Sequence, residues 1–211
     1  MRMLINVQSF IFRSTSTFVF LLLLLMYPAV GYSDAGDWMM RTTVIAVIPD
    51  TDSKSSIGLD LDVDNELSLA IDGTYFFTDN IAVNVLATFL SPDVDSALGD
   101  LGSVDLIPPI FTLQYHFSHG ESIRPYVGIG FNYNYFYNES GMLDALDVNI
   151  DNTFGYVAQI GMDYKINKKV TFNLDLKYLS FDADVEIGAL GVEDELRYDA
   201  IIIGAGLGYR F

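Results

Sequence analysis

The last eleven residues, IIIGAGLGYRF at Ile201–Phe211, carry an apolar side chain at every second position. The positions between them hold Ile202, three glycines and Arg210. A period of two is the signature of a β-strand with two different faces, and one face here is apolar up to the terminal aromatic residue. By itself the stretch fits either the edge of a secreted sandwich or a strand that faces lipid.

The N-terminal segment predicts a secretory signal peptide at residues 1–33. Arg2 and Arg13 flank a mildly polar start, an unbroken apolar run follows at 18–30, and small residues begin at Gly31. That run has thirteen residues, fewer than the ~20 that a membrane-spanning helix needs, so cleavage is favoured over a retained anchor. We expect cleavage between residues 31 and 35, which leaves one domain at 34–211.

The composition of the chain excludes several classes of protein. It has no cysteine, so disulfides and thiolate metal sites are unavailable. The formal net charge of −17 argues against nucleic acid as a partner, because phosphate binding needs a basic surface. Hydrophobic residues make up 51% of the chain, yet no apolar run after Val30 is long enough to cross a bilayer as a helix. These features leave a dense soluble core or a membrane β-barrel.

Alternation between apolar and polar residues recurs in eight segments after residue 33. The apolar parity includes Leu67, Leu69 and Ile71, whereas the opposite parity carries residues that lipid would reject, such as Asp72 and Asn132. The eight segments are Trp38–Ile48, Glu66–Thr78, Asn80–Ser91, Asp105–Ser118, Arg124–Asn138, Thr153–Asn167, Val170–Asp182 and Arg197–Phe211.

The connections between these segments alternate in length. Short turns such as 167–169 alternate with four long acidic connections, at 49–65, 92–104, 139–152 and 183–196. This pattern predicts an all-β fold: an eight-stranded antiparallel transmembrane β-barrel with short periplasmic turns and long acidic extracellular loops. Such a barrel belongs in the outer membrane of a Gram-negative bacterium. The acidic loops are expected either to be solvated or to share divalent cations with lipopolysaccharide phosphates.

Five stretches together resemble one known family, the OmpW family of outer-membrane proteins. They are TDNIAVNVLATF at 78–89, LIPPIFTLQYHF at 106–117, RPYVGIGFNYNYFY at 124–137, AQIGMDYKIN at 158–167 and the terminal GLGYRF. The resemblance implies a small monomeric barrel that lets small hydrophobic compounds cross the outer membrane through an apolar pocket open to the extracellular side. It also implies an assembly signal at Tyr209 and Phe211, recognised by the barrel-assembly machinery.

The direction of each predicted strand gives its inward residues a height in the barrel. The upper inward residues are apolar and predict a hydrophobic pocket: Val47, Leu90, Leu106, Ile110, Phe136, Leu179, Phe181 and Ile202. The lower inward residues include seven charged ones: Arg41, Asp72, Asp163, Lys165, Asp175, Lys177 and Arg210. Unpaired charges inside a narrow barrel would carry a large desolvation cost, so we expect the lower charges to pair and close the bottom.

Two consecutive prolines lie in the predicted fourth strand, level with the apolar lumen residues. Successive residues of an antiparallel strand point their N–H groups to opposite neighbours, so Pro108 and Pro109 remove one donor on each side. The pair is therefore either a bulge that adjusts curvature or a weak lateral seam. The seam hypothesis has a hydrophobic molecule leave the pocket sideways into the bilayer, avoiding the charged lower lumen.

Two other functions remain open at the level of sequence. The first is a structural or adhesive outer-membrane anchor whose lumen is filled by side chains. The second is a lipid-modifying enzyme that uses His116 with Asp72 or Asp175. We expect no enzyme activity, no cofactor and no metal site, and we expect the partners to be membrane lipid, lipopolysaccharide and a small hydrophobic ligand.

Overall fold

The described part of the chain covers six ranges of the computed structural model. These are residues 35–50, 61–96, 99–117, 122–139, 148–187 and 192–211. The signal peptide predicted at 1–33 and most of the first and third acidic loops lie outside them. Within these ranges there is no helix whose length and apolarity would let it cross a membrane.

Twelve strands form within the described ranges. They are β1 (Trp38–Asp50), β2 (Leu61–Val63), β3 (Glu66–Phe76), β4 (Ile81–Thr88), β5 (Asp93–Ser96), β6 (Gly99–Ile107), β7 (Ile110–His116), β8 (Ile123–Glu139), β9 (Val148–Ile150), β10 (Thr153–Lys165), β11 (Val170–Ile187) and β12 (Val192–Arg210).

Eight of these strands close into an antiparallel barrel, as the sequence predicts. Around the wall the order is β1, β3, β4, β7, β8, β10, β11 and β12. Closure comes from β12, which pairs with β1 from Met39↔Arg210 to Asp50↔Asp199. Because the sheet closes on itself, each of these eight strands has a paired neighbour on both sides and none forms an open edge.

The alternation of the opening stretch corresponds to the outer and inner faces of β12. Ile201, Ile203 and Leu207 are exposed on the outside, whereas Ile202 is buried in the lumen. In the other wall strands too, large apolar side chains point outward, whereas the inward side chains are polar in the lower part of the lumen and apolar in the upper part. The outward face therefore matches a lipid environment, and the secreted-sandwich alternative is wrong.

Aromatic side chains form a belt at the periplasmic end of the barrel. Trp38 lies against Tyr75 with ring centroids 4.8 Å apart. Tyr209 and Phe211 make an edge-to-face pair at 5.1 Å. The Phe211 amide donates a hydrogen bond of 2.9 Å to the Trp38 carbonyl, so the last residue is fixed to the first wall strand. Amphipathic rings at this level are typical of a membrane–water interface.

The last two wall strands are longer than the sequence segments indicate. Residues of β11 and β12 stay paired as far as Ile187↔Val192, so most of the expected connection at 183–196 is a strand hairpin. Outward side chains here, including Asp184 and Glu186, are exposed and acidic. We infer that this part of the hairpin rises above the bilayer, where water solvates the carboxylates.

Candidate functional site

The upper half of the lumen holds an apolar cavity of about 140 Å³. All eight residues that the sequence assigned to an upper pocket line it: Val47, Leu90, Leu106, Ile110, Phe136, Leu179, Phe181 and Ile202. They come from the inward faces of six wall strands and their extensions, which converge because the barrel is closed. These apolar residues therefore lie in the upper lumen, at the height that the direction of each strand predicts.

Aromatic rings narrow the cavity on one side. Phe181 stacks on Tyr198 with centroids 4.8 Å apart, and Phe136 lies 6.4 Å from Phe181. Val104 of β6 packs against Phe136 and Val94 above them. The extracellular extensions of the strands therefore contribute to the pocket as well as the membrane-spanning parts.

Several lining residues were not singled out from the sequence. Ile45 and Leu86 share the inward parity and height of the predicted set, and that signal could have found them. The polar lining residues Glu66, Thr88 and Asn134 were missed because only apolar residues were assigned to the upper lumen. Polar groups in an apolar pocket orient a ligand, so these residues bear on specificity.

Arg41 is the centre of the polar floor beneath the cavity. Its Nη1 donates to Asp72 Oδ1 at 3.0 Å, and its Nη2 lies 3.1 Å from Asp163 Oδ2. Nη1 also donates to the Thr74 hydroxyl at 2.9 Å. All these side chains are buried, and the single guanidinium joins β1, β3 and β10 across the lumen. Pairing of this kind offsets part of the cost of removing the charges from water.

A second polar cluster lies nearer the cavity. Lys177 pairs with Asp175, which also accepts a hydrogen bond of 3.0 Å from Gln159 Nε2. Gln159 Oε1 in turn accepts bonds of 3.0 Å each from Thr112 Oγ1 and Gln114 Nε2. The two clusters fill the lumen below the cavity with side chains that bond to one another.

Two of the seven predicted lattice residues lie at the periplasmic mouth. Arg210 places its guanidinium 5.1 Å from the centroid of the Phe76 ring and 3.9 Å from Asp37 Oδ2. Lys165 is the half-buried last residue of β10. The structure therefore brings five predicted charges together in the lumen: Arg41, Asp72, Asp163, Asp175 and Lys177.

His116 is enclosed within the floor. Its Nε2 lies 3.0 Å from Gln114 Oε1, and its ring stacks on Tyr126 at 4.7 Å. The carboxylate nearest to its Nδ1 is Asp163, at 3.9 Å, rather than Asp72 or Asp175 as the enzyme hypothesis required. The ring has no exposed surface, so lipid has no access to it in this arrangement.

The two prolines interrupt the predicted fourth strand, which appears as β6 and β7. Towards β8 the wall stays bonded, since Tyr133 donates to the Pro109 carbonyl at 3.1 Å. Towards β4, Leu90 and Leu106 exchange backbone bonds of 3.0 and 2.9 Å above the prolines. Below them, the pairing of β4 with β7 ends at Leu86↔Ile110.

A gap in the hydrogen-bond ladder lies between those two pairs on the β4 side. No backbone bond joins the walls there in the part of the chain that the structure describes. The pairing register is the same above and below the gap, so the prolines do not create a bulge. A register shift does occur nearby, between Asp105 and Leu106 opposite β8. Pro108 itself is buried and lines the cavity.

Comparisons with known proteins agree with this architecture. The model of the OmpW family matches residues 34–211. Outer membrane protein W of Salmonella typhi is 33% identical over 190 residues, covering 84% of this chain and 90% of that protein. Outer membrane protein AlkL of Ectopseudomonas oleovorans is 30% identical over 203 residues, covering 88% and 87%. The crystal structure of OprG from Pseudomonas aeruginosa matches with a TM-score of 0.72 at 27% identity, covering 84% of this chain and 97% of that one.

Proposed function

Because the chain belongs to the OmpW family of outer-membrane proteins, we propose that it binds small hydrophobic molecules in its upper lumen and passes them across the outer membrane. The barrel lies in the outer membrane of a Gram-negative bacterium. Binding and passage of such a molecule involve no chemical step, and we propose that the protein is not an enzyme.

The apolar cavity is the observation that carries this proposal. Its wall is almost entirely hydrophobic, and buried ion pairs around Arg41 and Asp175 close the lumen beneath it. A water-filled pore would need a continuous polar channel. An apolar cavity that is closed below by the polar floor is instead suited to binding a hydrophobic ligand.

Replacing Phe181 by aspartate tests the pocket. The new carboxylate would be buried without a partner, so binding of n-octane in lipid nanodiscs should weaken by about tenfold or more. Methyl NMR shifts, plotted against the mole fraction of octane in the bilayer, measure the affinity. The matched control Phe181→Leu keeps an apolar side chain and should bind octane nearly as wild type does.

Equal octane binding by a properly folded Phe181→Asp variant would contradict the pocket proposal. That outcome would favour an anchor with a filled lumen. Heat-modifiable migration on a gel checks that each variant is folded.

We propose further that the guest leaves sideways through the gap beside Pro108. The gap lies between β4 and the interrupted wall strand, and Pro108, which falls between the two pairs that bound the gap, also lines the cavity. The sealed floor supports this route, since a hydrophobic molecule moving downward would have to displace the ion pairs of Arg41.

Changing both Pro108 and Pro109 to valine tests the sideways route. Valine restores both N–H donors, so the ladder to Thr88 should close. We expect the double variant to keep its fold and octane affinity but to slow uptake of a hydrophobic substrate by cells several-fold. Pro109→Val alone, which restores the donor towards β8, is the matched control and should change uptake less. Unchanged uptake by the folded double variant would rule out the route.

The outer surface of the barrel supports the other proposed partners, which are membrane lipid, lipopolysaccharide and the barrel-assembly machinery. The apolar wall and the acidic extracellular hairpin suit contact with membrane lipid and lipopolysaccharide around a monomer. We also propose that the barrel-assembly machinery recognises Tyr209 and Phe211. The exposed ring of Phe211 supports this role, because 69% of the residue's surface remains accessible although its backbone is paired.

A further inference from the structure

Two asparagines mark the boundary between the cavity and the polar floor. Asn132 and Asn134 occupy successive inward positions of β8, and both are buried, with 0% and 1% of their surface exposed. Asn134 lines the cavity. On β10 its register partner is Thr153, whose hydroxyl donates to the Asp182 carbonyl at 2.7 Å instead.

The two amides satisfy each other only in part. Asn132 Nδ2 donates to Asn134 Oδ1 at 2.7 Å. Asn132 Oδ1 and Asn134 Nδ2 have no hydrogen-bond partner among the described residues. Turning both amides over would keep the mutual bond and still leave one donor and one acceptor. A buried pair with a free donor and a free acceptor is costly unless something else bonds to it.

The described residues around Asn132 and Asn134 leave space for the two amides but form no further hydrogen bonds with their side chains. On the adjacent strand β10, a Cβ on Gly155 would lie 2.3 Å from Asn132 Oδ1, so the absence of a side chain at Gly155 leaves room for the amide. The glutamines beneath bond to Thr112, Asp175 and each other instead. Asn134 lines the cavity and Asn132 lies one inward position below it, so the cavity is the side from which a partner can reach the pair.

We infer that the pocket selects neutral amphiphiles whose small head group carries a hydroxyl. A hydroxyl donates one hydrogen bond and accepts another, which matches the free acceptor of Asn132 and the free donor of Asn134. The hydrocarbon part then extends upward along Leu179 and Phe181. An anionic head group is disfavoured, because the nearby cation Lys177 is already paired with Asp175. This inference rests on the proposed function and specifies its ligand class.

A pair of probes that differ by one hydroxyl tests the inference. In lipid nanodiscs, wild-type protein should bind 1-octanol roughly three- to tenfold more tightly than n-octane at equal mole fraction in the bilayer. Asn134→Leu has a similar shape without polar atoms, so it should remove this preference while octane binding stays the same or improves. Thr171→Val is the control, since Thr171 is buried at the lower end of the lumen away from the cavity wall and its hydroxyl lies 3.6 Å from Met39 Sδ; it should keep the preference.

The possible results separate this inference from the proposed function. If wild-type protein binds 1-octanol and n-octane equally, the pocket does not select a hydroxyl group, and the proposal that it binds hydrophobic molecules is unaffected. A preference that survives in Asn134→Leu would also overturn the inference about Asn132 and Asn134, because another group would then hold the head. Binding of neither probe would overturn both proposals. The comparison of 1-octanol with n-octane on wild-type protein tests the hydroxyl preference even if Asn134→Leu folds poorly.

Discussion

Alanine in place of Gly130 is expected to abolish most of the folded barrel. A Cβ at this position would lie 1.8 Å from the Phe111 carbonyl oxygen and 2.8 Å from the Thr112 Cα. Both are backbone atoms of the neighbouring wall strand, so no side-chain rotation relieves the clash. The two strands would have to part, and lipid offers no partner for the backbone groups released.

The same substitution at Gly73 is the matched control. Gly73 has the outward parity of β3, and a Cβ there meets nothing within 4 Å. Both variants can be refolded into lipid vesicles and the heat-modifiable fraction compared on a gel. We expect nearly complete folding for Gly73→Ala and a small folded fraction for Gly130→Ala. Equal folded fractions would show that β7 and β8 approach each other less closely than described.

Removing the charge of Arg41 should have the second large effect. Arg41→Met leaves Asp72 and Asp163 buried without their common cation, which should lower the free energy of unfolding by about 3–5 kcal/mol. Removing the two carboxylate charges as well, in a triple variant with Asp72→Asn and Asp163→Asn, should recover much of this loss. Denaturant unfolding in vesicles, followed by the fluorescence of the single tryptophan Trp38, measures the difference.

Arg197→Met provides the comparison at the surface. Arg197 lies 3.6 Å from Asp199, but 70% of its side chain is exposed. Its replacement should change the free energy of unfolding by no more than about 1 kcal/mol. A triple variant no more stable than Arg41→Met alone would mean that the floor depends on shape rather than on charge pairing.

Much of the barrel and of its pocket could be predicted because alternation fixes which face a residue occupies. Strand direction then fixes its height, and for this reason Leu106 and Phe181 were assigned together although they are far apart in sequence. Asn134 obeys both rules but was not assigned to the pocket, because only apolar residues were assigned to the upper lumen. A side chain's chemistry is therefore a weaker guide to depth than its position along the strand.

Two features could not be predicted for a different physical reason. The predicted strand ended at Asp182, where the acidic connection begins in the sequence, but strand pairing needs only hydrogen bonds and continues in water up to Ile187. For Pro108 and Pro109 the sequence indicated which neighbours lose a donor. It could not show that the register stays unchanged across the gap, since register depends on pairing over the whole wall.

That unchanged register gives the gap a fixed length. It is fastened at Leu86↔Ile110 and again at Leu90↔Leu106, four residues further along the strand, which corresponds to about 13 Å. Opening it needs no sliding of one strand past the other, so every side chain keeps its face. For the sideways route that we propose, this fixed length sets a size limit: we expect a flexible hydrocarbon chain to pass along the gap and a rigid polycyclic molecule wider than the gap to be excluded.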